Sequence, residues 1–194
     1  MTLNYRQDLV EKLKVAFKGS NTPWQAAFAI GEKETKLWPQ IDPYSWFYIE
    51  RLPAAKITGL TVKDIEKLVR PTLDKVILHR FEEKNWEWAH KQEAPGLWLS
   101  RKFLLSCSFG PFQKSMRQYV KNYTKEQWVK LILEFKDSQP LQIKQVLIDC
   151  KYCIYKAEGD WELAFSLYNS GKLEKSLYGK ETLIMYKKWL NSGI

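Results

Sequence analysis

Residues 22–35 read Thr-Pro-Trp-Gln-Ala-Ala-Phe-Ala-Ile-Gly-Glu-Lys-Glu-Thr, and this stretch decides the fold class. Thr22 can cap a helix and Pro23 suits its first position, so the stretch predicts a helix that ends before Pro39. Glu34 comes three, four and seven residues after Gly31, Ile30 and Ala27, so it continues the apolar face of that helix. A carboxyl group therefore stands where an apolar side chain would be expected.

Helical signals dominate the rest of the chain, and strand signals are few. The segments predicted as further helices are Tyr5–Phe17, a short helix opened by Thr61–Asp64 and ended by Pro71, a helix opened by the capping box Thr124–Gln127, Pro140–Ala157, Asp160–Asn169 and Lys180–Leu190. The aromatic and β-branched runs Tyr44–Ile49 and Val76–Phe81 predict a small β-ribbon. The expected class is mainly α, in one domain over residues 1–194.

Composition limits the partners. The 194 residues carry 31 Lys and Arg against 22 Asp and Glu, a net charge of +9, and 14% are aromatic. This composition excludes a disordered or membrane-embedded chain and favours an anionic partner: nucleic acid, anionic lipid or bacterial cell wall. The first residues contain no apolar run, so we expect no secretory signal peptide and synthesis in the cytoplasm.

The number and spacing of the cysteines indicate a structural role in the core. Three cysteines make a complete disulfide framework unexpected, and Cys150 and Cys153 fall within a helical pattern. We interpret the pair as core residues of a helix, and no metal or cofactor is expected.

Three short segments in order resemble one enzyme group. They are Ala29–Thr35 (Ala-Ile-Gly-Glu-Lys-Glu-Thr), Ser108–Gln113 (Ser-Phe-Gly-Pro-Phe-Gln) and Leu163–Gly171 (Leu-Ala-Phe-Ser-Leu-Tyr-Asn-Ser-Gly). Together they resemble the lysozyme-like lytic transglycosylases and goose-type lysozymes, and His79–Glu82 is similar to the Arg-Phe-Glu segment of phage-type muramidases. The resemblance implies an α+β lysozyme-like fold, a helical bundle around a glycan cleft. It also implies cleavage of the β-1,4 bond between N-acetylmuramic acid and N-acetylglucosamine in peptidoglycan.

Glu34 is the candidate catalyst. Breaking a glycosidic bond needs an acid, and both an apolar face and a helix C-terminus favour a protonated carboxyl group. Glu32, in the same turn, is its competitor. In the family this Glu protonates the bridging oxygen and then takes a proton from the C6 hydroxyl of the sugar, whereas goose-type lysozymes use water and further carboxylates. Glu82 is the candidate second carboxylate, with Glu50 as the alternative.

Substrate-binding roles follow from the same resemblance. It assigns them to Ser108, Gly110 and Gln113 in the turn, and to Tyr168 and Asn169 at the helix end. Pro-Phe stands where the family has Leu-Met before the Gln. The 79-residue separation of Glu34 from Gln113 implies an enlarged middle section at about 36–107. Candidates for stacking on sugar in that section are Trp38, Trp46, Trp86, Trp88 and Trp98.

The expected function is that of a peptidoglycan-degrading enzyme, a lytic transglycosylase or a muramidase, used in phage lysis or cell-wall penetration. Its expected partners are glycan strands, with no nucleic acid and no membrane insertion. We expect a monomer, unless it belongs to a virion, that reaches the wall or periplasm through a holin or a virion. Two alternatives remain: a lysozyme-like module that binds glycan or protein without cleavage, and a basic helical nucleic-acid-binding protein.

Overall fold

The computed structural model describes residues 4–37, 47–49, 55, 56, 59, 61–63, 105–117, 119 and 122–192. The chain divides into two compact units. The first unit combines Met1–Pro43 with Gln139–Ile194, and the second unit is Tyr44–Ser138. Most of the middle section expected at about 36–107 lies outside the described residues, so its enlargement stays a prediction.

The described residues are mainly helical, as predicted, with a small antiparallel sheet. The elements are α1 (Tyr5–Phe17), α2 (Trp24–Thr35), β1 (Phe47–Ile49), β2 (Cys107–Phe109), β3 (Lys114–Ser115), α3 (Lys125–Asp137), α4 (Gln139–Lys156), α5 (Trp161–Ser170) and α6 (Leu177–Leu190). The bounds of α1 are those predicted, α2 lies within the predicted segment 22–35, and the bounds of α4 and α5 differ by one residue at each end from those predicted.

The N-termini of three helices show where the capping residues predict the first turn correctly and where they do not. The Thr124–Gln127 capping box is present, with both reciprocal hydrogen bonds. In α2, Pro23 is the N-cap residue instead of the first helical residue, and no side chain caps the helix. α6 begins three residues before the predicted Lys180, because the Ser176 side chain accepts a hydrogen bond from the Gly179 N–H at 3.1 Å.

The sheet lies in the second unit and has the order β1-β2-β3. β1 falls within the predicted strand Tyr44–Ile49, but its described partner is β2, with Phe47 opposite Phe109. The other predicted strand, Val76–Phe81, lies outside the described residues. β2 connects to β3 through a turn at residues 110–113.

The core of the first unit is formed by its helices. Leu9 and Leu13 of α1 are fully buried, as are Phe28 and Ile30 of α2. Cys150 and Cys153 are buried on α4, which confirms their predicted place on the core side of that helix. None of the helices in the described ranges has the length and apolar character needed to cross a membrane.

α5 and α6 approach closely at Gly179. A Cβ atom on Gly179 would overlap the Ser166 Oγ and the backbone carbonyl oxygen of Glu162. The Ser166 hydroxyl donates to that carbonyl at 2.8 Å, and it receives hydrogen bonds from the Ser176 N–H at 3.1 Å and hydroxyl at 2.9 Å. Gly179 is therefore required by packing, although glycine is otherwise a poor helix former.

We expect Gly179→Ala to lower the free energy of unfolding by about 1–3 kcal/mol, because the added methyl group meets backbone that cannot rotate away. Chemical denaturation measures this loss. Lys180→Ala is the matched control, since its side chain is exposed on the next residue of the same helix. Equal stability of the two variants would contradict the packing described for α5 and α6.

Candidate active site

The last turn of α2 carries Glu32, Lys33 and Glu34. The helix ends because Lys36 adopts a left-handed conformation (φ 59°), and its N–H donates to the Glu32 carbonyl at 3.0 Å. Leu37 also has a positive φ of 42°, and its side chain is fully buried. Two consecutive non-glycine residues in this region are costly, and burial of the Leu37 side chain offsets that cost.

Glu32 joins three helices. Its Oε1 accepts from the Arg6 guanidinium of α1 at 2.7 Å, and its Oε2 accepts from the Trp189 indole N–H of α6 at 2.6 Å. The guanidinium carbon also lies 4.9 Å from the Trp189 ring centroid and 5.5 Å from that of Phe28. With both oxygens engaged by helix-spanning partners, Glu32 has a structural role. The next residue, Lys33, forms an ion pair with Glu181 of α6.

Glu34 is half-buried and faces a tyrosine. The Tyr178 hydroxyl donates to Glu34 Oε1 at 2.6 Å. Burial, followed by the negative charge of Glu34 and this hydrogen bond, raises the pKa of Tyr178 far above its usual value near 10. Tyr178 therefore stays protonated at physiological pH and acts as a hydrogen-bond donor to the carboxylate.

Tyr168 of α5 belongs to the same cluster. Burial raises the pKa of Tyr168 well above its usual value, and the charges of Asp149 and Glu34 raise it further. Its ring packs beside Cys153 and Ala164 of the core. Asp149 is itself buried on α4 and accepts a hydrogen bond from the Gln145 side chain at 3.0 Å. The structure thus brings predicted site residues Glu34 and Tyr168 together in the first unit.

Asn169 follows Tyr168 in the last turn of α5, and its side chain is exposed. Gly171 caps the helix in a left-handed conformation (φ 72°), as its position after Asn169 predicts. The substrate-binding role assigned to Asn169 stays a prediction.

The other predicted binding residues lie in the β2–β3 hairpin of the second unit. Ser108 is buried within β2, and Gly110 begins the turn with φ 71°. The Gln113 side chain donates to the Gly110 carbonyl at 2.8 Å, so it braces its own turn. Their roles toward sugar stay predictions.

Several candidates lie outside the described residues. These are Glu82, its alternative Glu50, and the tryptophans Trp38, Trp46, Trp86, Trp88 and Trp98. In the part of the chain that the structure describes, no group of three or more His, Cys, Asp or Glu side chains could hold a metal ion.

Two residues of the cluster are missed by sequence reasoning, Tyr178 and Asp149. Tyr178 lies two residues before Lys180, the predicted first residue of the last helix, so the prediction leaves it outside α6. Ser176, a strong capping residue, was the available signal. Asp149 stands beside Cys150 at core spacing, and a carboxylate at such a position was the signal for a polar cluster.

The tyrosine cluster predicts a stability loss at high pH. The unfolded chain ionises Tyr178 near pH 10, whereas the folded chain keeps it neutral. The contribution of Tyr178 to the free energy of unfolding is therefore present below about pH 10. It is lost as the pH rises further, and the free energy of unfolding then falls by up to about 1.4 kcal/mol per pH unit. Tyr178→Phe should flatten this slope in denaturation curves between about pH 9 and 11.

At neutral pH the same variant loses its hydrogen bond to Glu34 and should be less stable by about 1.5–3 kcal/mol. Tyr155→Phe is the control, because Tyr155 is 78% exposed. This variant should leave both the pH slope and the stability at neutral pH near wild type. An unchanged slope in Tyr178→Phe would contradict the raised pKa of Tyr178.

No family model, curated protein or solved structure matches this chain. The chemistry of Glu34 and its tyrosine neighbours therefore carries the functional proposal.

Proposed function

We propose that this protein is a peptidoglycan-cleaving enzyme in which Glu34 is the general acid and base. The bond cleaved is the β-1,4 linkage between N-acetylmuramic acid and N-acetylglucosamine, by a lytic transglycosylase or a muramidase reaction. One observation carries the proposal: of two glutamates in one helical turn, Glu32 is bound to Arg6 and Trp189, whereas Glu34 meets a tyrosine hydroxyl.

The position of Glu34 suits proton donation. It lies in the last turn of α2, where the negative end of the helix dipole disfavours a further negative charge. Its side chain is half-buried, and partial removal from water acts in the same direction. The hydrogen bond from Tyr178 favours the charged form, and it also fixes the orientation of the carboxyl group. The proposed cycle requires this group to be protonated before cleavage and ionised after it.

The reaction proceeds in two proton transfers. Protonated Glu34 gives its proton to the bridging oxygen, and the glycosidic bond breaks with help from the N-acetyl group of the substrate. The resulting Glu34 carboxylate takes a proton either from the C6 hydroxyl, leaving a 1,6-anhydro end, or from an attacking water. Tyr178 holds Glu34 throughout, because its hydroxyl stays protonated.

Tyr168 is proposed to serve the substrate side of the same site. Its raised pKa keeps it a neutral hydroxyl, a suitable donor to the N-acetyl group. Asn169, Ser108, Gly110 and Gln113 are proposed binding residues on the family resemblance alone. The net charge of +9 favours adsorption to an anionic wall, and we propose phage lysis or wall penetration as the setting.

Replacing each of the two glutamates by glutamine tests which of them is the catalyst. Glu34→Gln should fold normally and lose about 100-fold or more of its activity in clearing purified cell walls, because glutamine cannot donate the proton. Glu32→Gln is the matched control. It should keep the activity of its folded fraction while losing about 1–3 kcal/mol of stability, since it weakens the contacts with Arg6 and Trp189.

Mass spectrometry of the released fragments completes the test. Anhydro ends identify a lytic transglycosylase, and ends that carry an added water identify a muramidase. Binding to peptidoglycan without any soluble fragment would overturn the enzymatic proposal in favour of a binding module. Clearing by Glu34→Gln near the wild-type rate would exclude Glu34 as the catalyst.

A further inference from the structure

The outward side of α4 is apolar and aromatic although it faces solvent. Ile148 is 49% exposed, Tyr152 is 56% exposed and Tyr155 is 78% exposed. Residues seven apart on a helix differ by about 20° in direction, and residues four apart by about 40°, so these three side chains form one narrow stripe. The opposite side of α4 carries its buried residues, including Val146 and Cys150.

Lysines flank this stripe. Lys144, Lys151 and Lys156 are exposed on the same helix, and the Lys156 ammonium lies 6.0 Å from the Tyr152 ring centroid. The only carboxylate of α4, that of Asp149, is on the buried side. The outer face of α4, defined as Ile148, Tyr152, Tyr155 and these three lysines, is therefore cationic without a compensating anion on its own helix.

We propose that the outer face of α4 is a docking surface for an anionic lipid bilayer. Tyr152 and Tyr155 have an apolar ring and a polar hydroxyl, the combination that suits the headgroup region. Ile148 between them is aliphatic and suits the acyl boundary, while each lysine can extend its ammonium toward lipid phosphates. In this arrangement α4 lies along the membrane surface.

The charge and the apolar character of the outer face of α4 favour an anionic bilayer over other partners. A second copy of the chain would bring two sets of lysines together, and each chain has a net charge of +9. A soluble polyanion satisfies the lysines but leaves Ile148 in water. An anionic bilayer satisfies both the cationic and the apolar parts of the face. The proposal is independent of Glu34, so Glu34→Gln should bind vesicles like wild type.

Vesicle cosedimentation tests the proposal with the full chain. Wild type should bind vesicles of equal parts phosphatidylglycerol and phosphatidylcholine about tenfold or more tightly than vesicles of phosphatidylcholine alone. Two variants remove the two components of the face: Ile148→Ser with Tyr152→Ser and Tyr155→Ser, and Lys144→Gln with Lys151→Gln. Each should weaken binding to the anionic vesicles by about tenfold or more.

The control removes similar exposed groups from α6, as Leu177→Ser with Ile184→Ser, and separately Lys187→Gln with Lys188→Gln. Leu177 and Ile184 are 71% and 62% exposed, and both lysines are exposed. These variants should change binding by less than about twofold, because they remove exposed aliphatic side chains, or an equal number of lysines, from a different helix. Circular dichroism and thermal unfolding confirm that every variant compared is folded.

Three results would overturn the proposal. The first is equal binding to neutral and anionic vesicles. The second is binding that the lysine variant weakens but the serine variant does not, together with the same pattern on soluble polyphosphate, which would make the face a simple polyanion site. The third is concentration-dependent self-association in sedimentation that the serine variant abolishes, without vesicle binding, which would assign the face to a second copy.

Discussion

The contact of Glu32 with Arg6 and Trp189 links three helices of the first unit. One carboxylate accepts from both partners, which lie on α1 and α6, so a single side chain of α2 is hydrogen-bonded to both of those helices. The Glu32 side chain is only 17% exposed, so solvent screens this pair less than it screens a surface ion pair. Tyr178, whose hydroxyl donates to Glu34, is carried by the same α6.

The different roles of Glu32 and Glu34 show which properties of a side chain can be predicted from the sequence and which cannot. The apolar spacing, the helix C-terminus and the family resemblance favour Glu34 as the catalytic carboxyl group, and the structure gives it a tyrosine partner. The role of Glu32 depends on Arg6, 26 residues away, and on Trp189, 157 residues away. Periodicity reports the face on which a residue lies, but it carries no information about which distant side chain meets it.

Helices were predictable because their signals are local. The period of apolar residues and the capping residues Thr124 and Asp160 lie within the elements they define. The start of α6 was not predictable from local signals. Glycine is a poor helix former, and the packing of Gly179 against Ser166 of α5 is known only from the structure. The pairing of β1 with β2 joins Phe47 to Phe109 across a long segment, and such non-local pairing leaves no local pattern.

The long separation between Glu34 and Tyr178 has a consequence for the timing of biosynthesis. The two residues are 144 positions apart. At ribosomal speeds, α2 is made on the order of ten seconds before α6 exists. A nascent chain of intermediate length therefore has the glutamates of α2 but not the tyrosine of α6 that orients Glu34. Assembly of the candidate centre therefore waits until α6 has been made, and shorter intermediates on the ribosome cannot contain it.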